Sequence, residues 1–307
     1  MKHRLLALPA LLLVVATTCA VSTRAAQAQT QTQAQGVLLV PRFAAGERVR
    51  YRMTLTVETY SRLEPIGTSA TNADPLRVTF DIGWQLEALE AAPDGSALLR
   101  ATIETLHIES SPPSPRPPAT EGYVGKSIAY RATSDGRVED IQAPPEWLEE
   151  GKPPAWLRSW LEQGSQSTGE VPRRPIQMGE SWRDERDIEV EGLPRQRLRS
   201  ESTYVRDEDV NGVPCAAVVT RFELGGAESR EEGNPDGTRI TMDSQAAGGG
   251  SRLSCYGLAN GRLLESTQTT EESYRVGIRR GTEKSGGQPV MLLETRTKVQ
   301  SHVRVVY

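Results

Sequence analysis

Histidine and cysteine are nearly missing from this chain, with three of each in 307 residues. His3 and Cys19 fall in the first twenty positions, which leaves His107 and His302, each alone on a strand-like pattern, and Cys215 with Cys255. There is no HExxH helix, no His/Cys cluster at metal-ligand spacing, no GxSxG turn and no P-loop. The expectation is therefore no metal, no cofactor and no catalytic residue. Long apolar runs are scarce too. The one from Leu5 to Ala16 is shorter than the ~20 residues a spanning helix needs, so no transmembrane span is expected. An excess of positive charge is also lacking. Without Lys2, Arg4 and Arg24 there remain 33 Lys and Arg against 40 Asp and Glu, a net charge near −7. That balance argues against nucleic acid or anionic lipid as the main partner.

What is present begins with a secretory pattern. Lys2 and Arg4 precede the apolar run, and Ala26-Gln27-Ala28 offers a small-residue cleavage site, so residues 1–28 read as a signal peptide. The expected location is exported, periplasmic or secreted. Cys19 could mark a lipid anchor, although Ala16-Thr17-Thr18 lacks the leucine and the small residue such a site uses, and anchoring stays the lesser alternative. Residues 29–36 continue a Gln/Thr/Ala tract too polar to offset the entropy of ordering it, a disordered leader. An oxidising compartment permits a disulfide between Cys215 and Cys255, and two buried thiols on neighbouring strands is the other reading.

From Glu47 to Tyr60 the chain alternates, with Val49, Tyr51, Met53, Leu55 and Val57 on one face and Arg48, Arg50, Arg52, Thr54 and Thr56 on the other. This is the pattern of a half-buried antiparallel strand. Leu76–Ala91 and Ser96–Glu109 read as a hairpin through Asp94-Gly95, and Lys126–Thr133 and Arg137–Ile141 as a second through Asp135-Gly136. Pro144–Gly164 breaks the series. Its prolines suit a first helical turn, and Trp156/Trp160 and Leu157/Leu161 fall at i,i+4, so it is expected to be a linker helix. Gly225–Gly237 and Ala246–Gly250 read as loops, and Gln288–Tyr307 as a long closing strand.

The same signals recur in one order after the helix. Val40-Pro41-Arg42 leading to Gly46-Glu47-Arg48-Val49-Arg50 is answered by Val171-Pro172-Arg173 leading to Gly179-Glu180-Ser181-Trp182-Arg183. Asp94-Gly95 is answered by Asn211-Gly212, and the hairpin after Tyr130 by Asn260-Gly261 after Tyr256. The expectation is one β-rich domain, residues 37–307, made of repeat one (37–143), the linker helix (144–164) and repeat two (165–307). Its fold class is all-β, mainly antiparallel, with the curved sheet forming a half-barrel or barrel.

Acidic runs at Asp184, Glu185 and Asp187 and at Asp207, Glu208 and Asp209 are interleaved with arginines and read as solvated faces. A carboxylate-based hydrolase stays open as an alternative, because such pairs come from distant strands. The tryptophans are the other candidates. Trp147, Trp156 and Trp160 on the helix, with Trp84 and Trp182 on strands, either fill the core or line a ligand cavity under a helical lid.

The strand at Val171–Arg183 and the Thr133–Val138 hairpin, on either side of a Pro/Trp segment, resemble an uncharacterised family of secreted bacterial β-rich proteins and lipoproteins carrying a domain of unknown function. That resemblance implies no activity and no catalytic residue. In layout the chain is also similar to the periplasmic lipoprotein carriers, by analogy only. The resulting expectation is an exported, non-enzymatic barrel-like protein that binds an apolar small molecule or lipid, or an envelope protein partner. A structural or protein-interaction module with a solid core is the second alternative.

Overall fold

The computed structural model describes residues 36–65, 71–72, 74–112, 122–133, 137–148, 161, 171–188, 195–233, 238–282 and 288–307. The expected signal peptide and nearly all of the leader lie outside them. The strands are β1 (Arg48–Pro65), β2 (Thr71–Asn72), β3 (Leu76–Ala91), β4 (Ala97–Ser111), β5 (Ser127–Ala132), β6 (Val138–Gln142), β7 (Ser181–Ile188), β8 (Gln196–Val210), β9 (Val213–Gly233), β10 (Thr238–Gly257), β11 (Leu263–Thr282) and β12 (Gln288–Val306). They form one 12-stranded sheet in the order β6-β5-β4-β3-β1-β12-β11-β10-β9-β8-β7, with β2 paired to β1. Every pairing is antiparallel, and the sheet is open, with β6 and β7 at its edges. The expected all-β, antiparallel class is thus what the chain adopts.

The chain starts in the middle of its own sheet. From β1 it works outward to the edge at β6, reappears at the opposite edge as β7, and works back until β12 pairs with β1, Tyr51 opposite Val305. Residues 143–180 therefore join two edges. Of the expected helix there, the structure places a short 3₁₀ turn at Pro145–Trp147, with Leu148 already extended, and a buried helical Leu161. Residues 149–160 and 162–164, with Trp156 and Trp160, lie outside the described residues.

β1 and β7 are introduced by the same turn. Glu47 N–H donates to the Ala44 carbonyl (3.0 Å) while its carboxylate accepts the Ala44 N–H (3.1 Å). Glu180 and Gln177 repeat both bonds at 3.0 Å. Gly46 and Gly179 sit at φ 81° and 84°, the third-position geometry of a type II turn. Each then donates 2.7 Å to the next strand of its meander, at Ala88 and Tyr204.

Alternation divides the sheet into two unlike faces. One carries the core, including Tyr51, Trp84, Leu86, Leu99, Ile128, Tyr130, Val303 and Val305, all under a tenth exposed. The other carries cross-strand ion pairs, such as Arg48–Glu87 (2.8 Å), Arg50–Glu104 (3.1 Å), Arg183–Glu201 (2.9 Å) and His302–Glu265 (2.7 Å). The core face itself changes character across the sheet. Over β1, β3–β5 and β12 its buried side chains are apolar, whereas over β8–β11 they include Gln196, Ser200, Ser202, Thr220, Ser254, Ser266 and Thr270. Those hydroxyls satisfy one another across strands, Ser202 with Thr220 at 2.8 Å and Ser254 with Ser266 at 3.0 Å, as burial demands.

Small residues go with tight approach. Gly225–Gly233 and Ala246–Gly250, expected as loops, lie inside β9 and β10 and pair with each other, Gly226 opposite Ala246 and Gly250 opposite Phe222. A Cβ at Gly250 would collide with the Thr269 carbonyl, and one at Gly226 with the Arg195 carbonyl. Gly226, Gly248, Gly249 and Gly250 are ladder positions where neighbouring backbone comes too close for a side chain, as at a sharp bend of a sheet.

One end of the sheet is tied across its middle. Val37 and Ile176 exchange both backbone bonds (2.7 and 3.0 Å), Arg42 N–H donates to Asn260 (2.8 Å), and Gly46 reaches Ala88. Residues 36–46 thus connect the turn between β10 and β11 to β3, bridging strands on either side of the β1–β12 pair. Leu39 and Ile176 are buried by it, and Arg262, nearly buried, pairs with Glu47 and lies over the Phe43 ring.

Candidate functional site

The tryptophans that the sequence offered as a ligand site fall at separate places in the core. Trp84 is 2% exposed and stacks on Tyr51 with ring centroids 5.4 Å apart. Trp147, 6% exposed, packs on Tyr123 at 5.0 Å. Trp182, on the edge strand β7, is half-buried against the same apolar cluster. None of these three lines the hollows described below.

The largest of those hollows is a groove of about 980 Å3 across β1, β12, β11 and β10. Its position follows from register: Tyr60 is opposite Arg296, Arg296 opposite Ser273, and Ser273 opposite Ala247. At the β10 side Ala247, Gly248 and Gly249 offer a floor of backbone and one methyl. Tyr60 stands at the β1 side, 49% exposed. Between them lie Lys298 and Arg296, with Glu271 and Glu272. Lys298, partly exposed, approaches the largely solvated Glu271 at 3.8 Å, and Arg296 holds Glu294 at 3.0 Å. Such exposed pairs contribute little to stability and leave their charges available to a ligand. The groove therefore joins an aromatic ring and a bare backbone floor to charges of both signs, in a volume suited to a small molecule.

Glu272 differs from the other carboxylates here. Its side chain lies over Gly248, and although the residue as a whole is exposed, the enclosing strands raise its pKa above the ordinary carboxylate range by desolvation. Asp81, on the ion-paired face, shows the opposite: the hydrogen bond from Arg52 holds its carboxyl low. Two smaller hollows lie elsewhere on the sheet. One of about 620 Å3 adjoins Glu47, Arg262 and the chain end at Tyr307, and one of about 520 Å3 lies over β7–β9 near Phe222.

The remaining sequence candidates are placed without forming a catalytic set. His107 contacts Glu109 at 2.9 Å on the exposed face of β4. His302 contacts Glu265 across β12 and β11. Among the described residues no group of three His, Cys, Asp or Glu side chains is arranged to hold a metal. Of the acidic runs, Asp187 takes Arg195 at 2.8 Å, Asp207 accepts the Tyr204 hydroxyl, and Glu208 accepts from Arg206 and from the Cys255 thiol. Cys215 and Cys255 are buried free thiols on β9 and β10.

The groove residues were missed in the sequence because the Ala-Gly-Gly-Gly run looked like a loop and the charged residues like an ordinary solvated face. The only available signal was the length of the alternating pattern on both sides of the glycines.

No family model matches the chain, and no curated protein does. Among solved structures it is similar to Ail, the attachment invasion locus protein of Yersinia pestis, at 7% identity over 85% of this chain and 99% of that one, with a TM-score of 0.13. It is similar to OpdQ of Pseudomonas aeruginosa at 7% identity over 85% and 98%, with a TM-score of 0.21. It is similar to OmpT, an outer membrane protein of Vibrio cholerae, at 8% identity over 86% and 100%, with a TM-score of 0.11. At such identities and TM-scores these likenesses carry no inference about what this chain does.

Proposed function

We propose that this chain is an exported, non-enzymatic protein of the bacterial envelope whose sheet holds an amphipathic small molecule, one with a charged head and an apolar body. The observation that carries the reading is the groove across β1 and β10–β12. Tyr60 and the floor at Ala247–Gly249 would take the apolar body, and Lys298 and Arg296 an anionic head. The signal-like residues 1–28 support export. The shared turn at Gly46 and Gly179, and two meanders with the same neighbour order, support an origin by tandem duplication.

The test is native mass spectrometry and solvent extraction of the protein purified from its own envelope without detergent. A bound small molecule is expected, together with displacement of a hydrophobic dye by the extracted compound. Tyr60→Ala and Lys298→Gln keep the fold, since Tyr60 is on the surface and Gln places no like charge opposite Glu58 and Glu271, and each is expected to weaken retention about tenfold, equivalent to ~1.4 kcal/mol. A protein that carries nothing and brightens no dye, or variants that bind as well as the parent, would rule the reading out.

A further inference from the structure

Cys215 and Cys255 lie on the same face of adjacent antiparallel strands. Cys215 is opposite Gly257 and Cys255 opposite Ala217, so the two are diagonal neighbours with no bulky side chain between them. Both thiols are free and buried, and the Cys255 thiol donates to Glu208 Oε2 at 3.3 Å. Glu208 is directly opposite Cys215 on β8. Three strands thus bring two thiols and one carboxylate together at the tied end of the sheet.

We infer that Cys215 and Cys255 are a redox-closable pair, forming a disulfide between β9 and β10 by exchange with a low-molecular-weight disulfide, with Glu208 slowing closure in the folded state. Diagonal neighbours have Cα atoms about 7–8 Å apart, just beyond the roughly 4.4–6.8 Å a disulfide spans, so closure needs a small slip of β10. The pairing of β10 with β11 already breaks register between Cys255 and Tyr256, and that irregularity supplies the play. The slip is local, because the next residues enter the turn whose Gly257 and Arg262 share a 2.7 Å bond.

The chemistry balances with oxidised glutathione as the oxidant. The Cys215 thiolate attacks one sulfur and releases a glutathione thiolate. The Cys255 thiolate then displaces the second glutathione from the mixed disulfide. Two protein thiols lose two protons and two electrons, and one glutathione disulfide becomes two glutathiones. Cys215 is the better first nucleophile, because the single Cys255 thiol hydrogen is held by the Glu208 carboxylate. Burial pushes both thiols up, and the contacts with Cys215 and Glu208 push Cys255 further. Exchange in the folded protein is accordingly slow, and closure is fastest while the chain folds.

The experiment refolds the full chain in a glutathione redox buffer, quenches it with iodoacetamide under denaturing conditions, and reads intact mass and a proteolytic map. The expected product is lighter by two hydrogens, with one cross-linked peptide pair containing Cys215 and Cys255 and no alkylation at either. Alkylation of both cysteines, or pairing of either with Cys19, would overturn the inference. A second measurement exposes the folded, reduced protein to oxidised glutathione. Glu208→Gln is expected to close several-fold faster than the parent, since removing the negative charge favours the thiolate. An unchanged rate would show that Glu208 does not restrain the pair.

Discussion

Glu272 and Asp81 respond to acid in opposite directions, and the difference is testable residue by residue. Desolvation raises the Glu272 pKa, so the folded state holds that proton more tightly than the unfolded chain. Its contribution is most favourable in acid and is lost as pH rises from the ordinary carboxylate range through the raised value. Glu272→Gln should therefore raise the urea midpoint at neutral pH and leave it unchanged well below pH 4, where the parent residue is already protonated. Asp81 is held low by Arg52, so its contribution is present above the unfolded carboxylate pKa and disappears as pH falls through the folded one. Asp81→Asn should cost stability at neutral pH and become silent in strong acid. In the core, Trp84→Ala removes a ring stacked on Tyr51 at 2% exposure and is expected to cost about 3–5 kcal/mol by urea denaturation.

The informative elements are β9 and β10, where glycine and alanine replace the branched residues usual in strands. Tight backbone approach at these positions predicts unequal responses to one methyl group. Gly250→Ala drives a Cβ into the Thr269 carbonyl and the Phe222 ring, and should cost about 1–3 kcal/mol. Gly225→Ala meets nothing within 4 Å and should be neutral or stabilising by about 0.4–1 kcal/mol, because it restricts only the unfolded chain. Equal effects in thermal melts would mean that the glycines are not packing positions. The edge strands follow a different rule. β6 is the shortest strand apart from β2, and β7 is short and mostly charged, which blunts pairing with a second sheet.

For the molecule as a whole, the distribution of charge between the two faces decides how it meets a membrane. A transmembrane β-barrel turns an apolar band toward lipid and keeps polar residues inside. Here the apolar face is buried within the protein, and the opposite face carries the Arg–Glu ladders of β1, β3 and β7–β8. Burying those pairs in hydrocarbon would leave their charges poorly solvated. The protein should remain in the aqueous phase of a detergent partition, and recovery in the detergent phase would contradict this reading of the faces.

Much of this architecture was legible in local pattern. The alternation over Leu76–Ala91 coincides with β3, Asp94-Gly95 and Asn211-Gly212 are hairpin turns, and Gln288–Tyr307 supplies the closing strand, because side-chain period and turn chemistry are properties of a few consecutive residues. Other features were not local. That β1 lies between β3 and β12, that β6 and β7 are opposite edges, and that Ala247–Gly249 floors a groove beneath Tyr60 and Lys298 all depend on pairing between residues far apart in the chain. Nothing in Gly248 or Glu272 alone announces the other strand. Their roles follow from the register in which β10 and β11 meet, and that register was selected by the burial of an entire sheet face.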